Sequence, residues 1–275
     1  MSRTDADDQL TRAPLLRKTL RDNARGIAGW TLGIVALVAV QLSVYPTVRD
    51  TTNTITDFAD AFPEAFKKIF RMEDYTSAVG YLSTELFSAT LPLIFIAVGV
   101  TWGARVATDE IEAGTADVLL SLPISRTHFI AWRIAAMVGV LGFLAAVLTA
   151  ALWIGAPIVD MTIPTARVAA ASWATALAGL CFGSFAVLVG ALSGRRSMAL
   201  GVALTLSIAS FVVYSLAPLV GVMDDVNPFN PMQWTIGVES LKHGLSIGSS
   251  AVALGCSLVV LVGSIVAFER RDVST

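Results

Sequence analysis

Few side chains in this sequence are spaced for covalent chemistry. The run Gly190-Ala191-Leu192-Ser193-Gly194 sets a serine among small residues in an apolar stretch. A serine there, paired with a histidine on a neighbouring helix, could cleave a bond within a membrane. The spacing is not the G-x-S-G of such a nucleophile, and His128 and His243 both fall outside the apolar stretches. The two histidines are expected on opposite sides of the membrane, where they cannot share a metal, so they read as polar boundary residues. Cys181 and Cys256 lie inside apolar runs and read as small packing residues. No G-x-x-x-x-G-K-[ST] phosphate loop occurs, so the chain does not hydrolyse nucleotide by that route.

The chemistry that remains is docking. From Ala107 to His128 the chain contains Glu112, Gly114, Thr115, Leu119, Leu120, Pro123, Ser125 and Arg126. Gly114 can end a preceding helix, Thr115 can cap a short new one, Pro123 stops it, and Ser125 can cap the next long helix. The product is a helix of about two turns, roughly 10 Å long. Val118, Leu119, Leu120 and Leu122 are too apolar for an aqueous loop and point to a buried partner surface. Packing of these leucines on the chain's own helix ends is the alternative.

The elements that must position this loop are membrane spans. The chain has 275 residues, 55% hydrophobic and 15% charged, with a mean hydropathy of +0.71. Soluble domains carry about 25% charged residues, so the composition argues against a water-soluble enzyme. Six runs lack any titratable side chain: 26–48, 86–104, 134–159, 168–194, 197–223 and 244–268. Each is close to or longer than the roughly 20 residues that cross a bilayer as a helix, and far longer than a barrel strand. The expected organisation is an N-terminal segment at 1–25, a six-helix domain at 26–268 and a tail at 269–275. The expected spans are about 26–48, 86–106, 130–156, 168–193, 198–220 and 246–268.

Six spans place both termini on one side, and that side holds thirteen of the nineteen Lys and Arg residues. The positive-inside rule makes it the cytoplasm. The first run is read as a retained span, because about 25 polar residues precede it and no A-x-A-like site follows clearly. Leu10, Ala13, Leu16, Leu20, Ala24 and Ile27 form one helical stripe beside Arg17, Lys18, Arg21 and Arg25, as in a helix lying in the headgroup layer.

Between the first two spans, Phe58, Phe62, Phe66, Ile69 and Phe70 predict an external helix. The four-residue turn at Gly194-Arg195-Arg196-Ser197 makes spans four and five an antiparallel pair. Pro228 and Pro231 break the last external segment, and Trp234 suits an interfacial anchor. Gly29 with Gly33, Gly179 with Gly183, and Gly190 with Gly194 have the spacing that lets membrane helices approach closely. These six runs carry no internal charge, which leaves no obvious means of coupling to a proton gradient or the membrane potential. Any energy source must then lie outside the spans. No basic surface suggests nucleic acid.

The loop residues Glu112, Gly114, Thr115, Leu119, Leu120, Pro123, Ser125 and Arg126 resemble the first cytoplasmic loop of ABC-2 type transporter permeases. In that family an acidic residue, Gly-Thr, a Leu-rich turn and Pro-x-Ser-Arg follow the second span. The resemblance extends to an N-terminal amphipathic elbow helix, six spans, Gly80-Tyr81-Leu82-Ser83 before span two and Pro228-Phe229 before span six. Arg133 matches a basic residue common near the start of span three, while Trp132 stands where the family often has a small residue.

The resemblance implies an all-α integral membrane protein of the type V (ABC-2) exporter class, in a bacterial cytoplasmic membrane. The loop would be a coupling helix docked on a separate ABC ATP-binding subunit, which binds ATP and Mg; this chain would be no enzyme and hold no cofactor. A second permease copy or a related permease would complete a dimer, with cargo moving outward between the two. Phe95 and Trp102 on span two, and Ser207, Phe211 and Tyr214 on span five, are candidates to line the route. The apolar spans suggest a hydrophobic or amphipathic cargo such as a drug, antibiotic or lipid. The rival reading is a passive channel or a membrane scaffold that recruits a cytosolic partner through the same loop.

Overall fold

The computed structural model of the chain describes residues 23–51, 77–112 and 126–270, and among these every regular element is helical. Helix α1 spans Ala24–Asp50. A short helix α2, Ala78–Leu82, passes through a π-helical turn, Ser83–Phe87, into α3, Thr90–Glu112. Helix α4 spans Arg126–Gly155, α5 Thr165–Ser193 and α6 Arg196–Leu216. Three short helices follow, α7 at Gly221–Val226, α8 at Pro231–Thr235 and α9 at Ser240–His243, before the long α10, Ile247–Glu269. Among the described residues, six helical segments are long and apolar enough to cross a membrane: α1, Ala78–Thr108, Thr127–Val159, α5, α6 and α10.

Helix α5 is the axis of the bundle. Its apolar stretch is 72% buried, against 17% for α1 and for α10, so α5 is surrounded by the other helices while α1 and α10 stand at the periphery. Its small residues explain why. Gly179 and Gly183 face Gly99 and Gly103 of α3 with backbones in contact, so a methyl built on Gly103 would lie 2.3 Å from the Gly183 carbonyl oxygen. Two turns further along α5, Gly190 lies against Ala104, Ala107 and Thr108. Lipid supplies no hydrophobic drive between helices, so dense packing of this kind must hold them together.

The other glycine spacings serve differently. A methyl on Gly29 or Gly33 would meet nothing within 4 Å, so this pair on α1 joins no other helix among the described residues. Gly194 instead closes α5 in the left-handed conformation, φ 66°, with its N–H bonded to the Gly190 carbonyl at 2.8 Å. That cap reverses the chain into α6 within two residues, giving the antiparallel pair.

Hydroxyl side chains are tolerated inside the helices because they bond back to their own backbone. Thr101, Thr108, Thr149, Thr175, Ser207 and Ser257 each donate to the carbonyl four residues earlier. No water is needed to satisfy them.

Span two departs from a charge-free run. Its helix reaches back to Ala78, which puts Glu85 inside the apolar span. The π turn makes this possible. The Thr90 hydroxyl donates to the Glu85 carbonyl at 3.0 Å, while the Gln41 amide of α1 donates to the Glu85 carboxylate at 3.5 Å. Gln41 also receives the Tyr81 hydroxyl, at 3.0 Å on its side-chain oxygen and 3.1 Å on its backbone carbonyl, and Tyr81 packs its ring on Tyr45. The charge-free run begins only at residue 86, but a partnered carboxylate can sit within a helical span, so the span extends past it.

The amphipathic stripe from Leu10 to Leu20, the aromatic segment from Phe58 to Phe70 and the loop from Gly114 to Ser125 lie outside the described residues.

Candidate functional site

The bundle has two ends. At one, α1 begins and α10 finishes; Asn23 and Glu269 mark this proximal end through bonds to Arg105 of α3 and Thr127 of α4. Here α3 runs out to Glu112 and α4 starts at Arg126, so these two sequence candidates terminate a pair of helical stems. Gly114, Thr115, Leu119, Leu120, Pro123 and Ser125 belong to the segment that joins the stems, outside the described residues.

Polar side chains tie the stems to each other and to the outer spans. The guanidinium of Arg133, on α4, donates to the backbone carbonyls of Arg105 at 3.2 Å and Val106 at 3.3 Å on α3. Phe129, one turn before Arg133, holds the same guanidinium over its ring at 5.0 Å. Arg105 then reaches Asn23 of α1 at 2.9 Å. On the other flank, the Thr127 hydroxyl donates to Glu269 at the end of α10. The stems pack on an apolar floor, with Ile130 fully buried and Val106 and Ala107 nearly so.

The candidates for a transport route fall in two places. Phe95 and Trp102 are buried in the large apolar cluster that α3 shares with α1, α4 and α5. The Phe95 carbonyl forms part of the surface against Gly179. On α6, Phe211 and Tyr214 pack in a second cluster with Ile96, Val100, Phe182 and Met232. Ser207 is buried on the same helix and spends its hydroxyl on the Ala203 carbonyl at 2.6 Å. The structure therefore brings Phe211 and Tyr214 together and leaves Phe95 and Trp102 in a different cluster.

Tyr214 also lines a cavity of about 30 Å³ at the distal end, together with Ser83, Thr175, Thr235, Glu239 and Lys242. Lys242 and Glu239 pair at 3.1 Å with side chains about one-fifth exposed, 18% and 21%. Glu239 adopts a left-handed backbone, φ 47°, at the turn that leads into α9. This ion pair lies beside Ala171 and Thr175 of α5 around the cavity, so the segment between α6 and α10 folds back against the bundle.

Asn230 holds that segment in place. It is 6% exposed, caps α8 by accepting from the Met232 N–H at 3.0 Å, and donates to the Ser210 carbonyl of α6 at 2.9 Å, while the Ser210 hydroxyl donates back to its side-chain oxygen. Pro231 stands at the first helical position, where its missing N–H costs nothing. Trp234 does more than sit at an interface. Its indole N–H donates to the Pro228 carbonyl at 2.6 Å, and its ring packs near Leu177, Cys181 and Ala253. Cys181 is buried there with the Ser257 hydroxyl at 3.3 Å, and neither cysteine is in a disulfide.

Sequence reading missed three features. Gly99-x-x-x-Gly103 carries the same spacing as Gly179 and Gly183, so a search of span two for that spacing finds it. Asn230 before Pro231 is a helix-start signal. The contacts of Arg133 and Asn23 with Arg105 have no local signature, since they join positions 28 and 82 residues apart.

Over residues 13–273 the chain matches the family described as ABC-2 family transporter protein. No curated protein and no solved structure matches it.

Proposed function

The chain belongs to the ABC-2 transporter family, and from that premise we propose that it is an exporter permease driven by a separate ATP-binding subunit. Membership makes it a multi-pass membrane component of an ABC transporter that is not itself an ATPase. The observation that carries the finer reading is the pair of stems. Glu112 and Arg126 end two tied helices at one end of the bundle, and the segment between them, with its Gly-Thr, Leu-rich turn and Pro-x-Ser-Arg, resembles the family's coupling loop.

In this reading the two-turn helix capped by Thr115 and stopped by Pro123 is a coupling helix whose Leu119 and Leu120 fill a groove on the ATPase. The proximal end and both termini face the cytoplasm of a bacterial cell. The N-terminal stripe is the elbow helix of a type V exporter. ATP and Mg bind the partner, and two permease chains, identical or related, stand above two ATPases. Closure of the ATPases on ATP favours an outward-open arrangement of the spans through differential affinity for the two states. The cargo is hydrophobic or amphipathic, a drug, antibiotic or lipid. Phe95, Trp102, Ser207, Phe211 and Tyr214 contribute to its route.

Reconstitution with the ATPase tests this. Cargo should stimulate ATP hydrolysis in the complex, and replacing Glu112 or the Leu119-Leu120 pair should abolish the stimulation. Unchanged stimulation in those variants would remove the coupling assignment. A chain that recruits no ATPase at all would favour the passive channel or scaffold.

A further inference from the structure

The inter-helix hydrogen bonds described at the proximal end converge on the two loop stems. Arg133 joins α4 to the Arg105 and Val106 carbonyls of α3, Arg105 joins α3 to Asn23 of α1, and Thr127 joins α4 to Glu269 of α10. Each of these bonds has α3 or α4 as a member. The Arg133 contact is of a particular kind. Helical carbonyls already accept from their own backbone four residues on, so the guanidinium adds second donors to a satisfied surface. Its worth lies in joining helices more than in satisfying an orphaned group. One guanidinium nitrogen, Nη1, donates to two successive carbonyls at once, and the guanidinium lies over the Phe129 ring on the loop side at 5.0 Å, a planar contact that a lysine ammonium does not reproduce.

The position of the contact matters as much as its chemistry. Arg133 lies seven residues into α4 from Arg126, and Arg105 lies seven residues before the end of α3 at Glu112. At 1.5 Å per residue each stem projects about 10 Å beyond the clamp toward the loop. Two unclamped stems of that length could splay when a partner pushes on the loop, and the push would be lost locally. Below the clamp, α3 continues into the Gly99 and Gly103 contact with α5, where backbone meets backbone and the stems above it have a fixed point to swing about.

We propose that Arg133 is a positioning residue which locks the α3 and α4 stems into one lever, so that displacement of the loop between them reaches the spans as a joint movement. Asn23 and Glu269 extend that lever to α1 and α10. The proposal rests on the permease reading above, because it requires something to push on the loop.

Spin labels on Asp109→Cys and Ala131→Cys, both on the loop side of the clamp, measure the separation of the stems in the reconstituted complex. The background carries Cys181→Ala and Cys256→Ala, and a second pair, Asp109→Cys with Leu192→Cys, measures movement against α5. The expected result is a 109–131 distance that is the same without nucleotide and with ATP trapped, while the 109–192 distance changes. In Arg133→Gln the 109–131 distribution should broaden and cargo stimulation of the ATPase should fall at least about fivefold, the low end of typical site-to-site coupling, with the ATPase still bound. Arg133→Lys should recover part of both. Asn23→Ala should leave the 109–131 distance unchanged.

Stems that move apart with ATP in the otherwise unaltered chain, or that do not move against α5 at all, would overturn the proposal. So would an Arg133→Gln complex with unaltered distances and stimulation. Failure of the unsubstituted chain to hold an ATPase would instead remove the permease reading on which the lever depends.

Discussion

A methyl group on Gly99 would stand 2.0 Å from the carbonyl oxygen of Gly179. No side chain can turn aside to make room, because the obstructing atom is backbone in the most enclosed helix of the bundle. Gly99→Ala must therefore force α3 away from α5, at a cost of about 1–3 kcal/mol or more. The expected outcome is a clear fall in the midpoint of thermal unfolding in detergent. Gly29→Ala and Gly33→Ala, which meet open space, should leave the midpoint unchanged or slightly raised, since alanine is the better helix former.

Asn230 offers a second test of stability, localised at the distal end. Replacing it with alanine leaves the Met232 N–H and the Ser210 hydroxyl without their partner in a buried position. The cost should be about 1–3 kcal/mol, and it should fall on the segment between α6 and α10 before the spans. Hydrogen exchange in the Asn230→Ala protein should speed up over residues 221–243 and remain slow in α5.

Orientation gives a third prediction. Arg195, in the tight turn between α5 and α6, belongs to the proximal end, and Phe229, 77% exposed, belongs to the distal segment. In intact cells, a membrane-impermeant thiol reagent should label Phe229→Cys and spare Arg195→Cys until the membrane is opened. The reverse pattern would invert the topology drawn from the positive charges.

These outcomes bear on how far the sequence could be read. The six spans were legible because a helix in lipid must be apolar over about 20 residues, whatever it packs against. The turn at Gly194 was legible because only a few residues separate two such runs. Glu85 was not, since its toleration depends on Gln41 and on the π turn, both beyond any count of charges. The glycine spacings were half legible. Spacing alone cannot tell a contact surface such as Gly179 and Gly183 from a face such as Gly29 and Gly33 that touches no neighbouring helix here. The stem clamp was illegible for the same reason that it is informative. Arg133, Arg105 and Asn23 meet only after three helices have packed.

The loop yields a fourth prediction, by substitution. Leu119→Asp with Leu120→Asp should abolish ATPase binding while leaving the spans folded, because in the permease reading these residues face the partner subunit. Thermal unfolding of the purified double variant should match the unsubstituted chain, and its co-purified ATPase activity should fall to background.

The most direct measurement is recovery of the chain from its native membranes by a tag on the C-terminus, followed by mass spectrometry and an ATPase assay of the eluate. A permease driven from outside predicts a stoichiometric partner with a phosphate-loop ATPase sequence, lost when Glu112 or Leu119 is replaced. Recovery of the chain alone, with no ATP hydrolysis, would contradict the account and leave six spans that work passively.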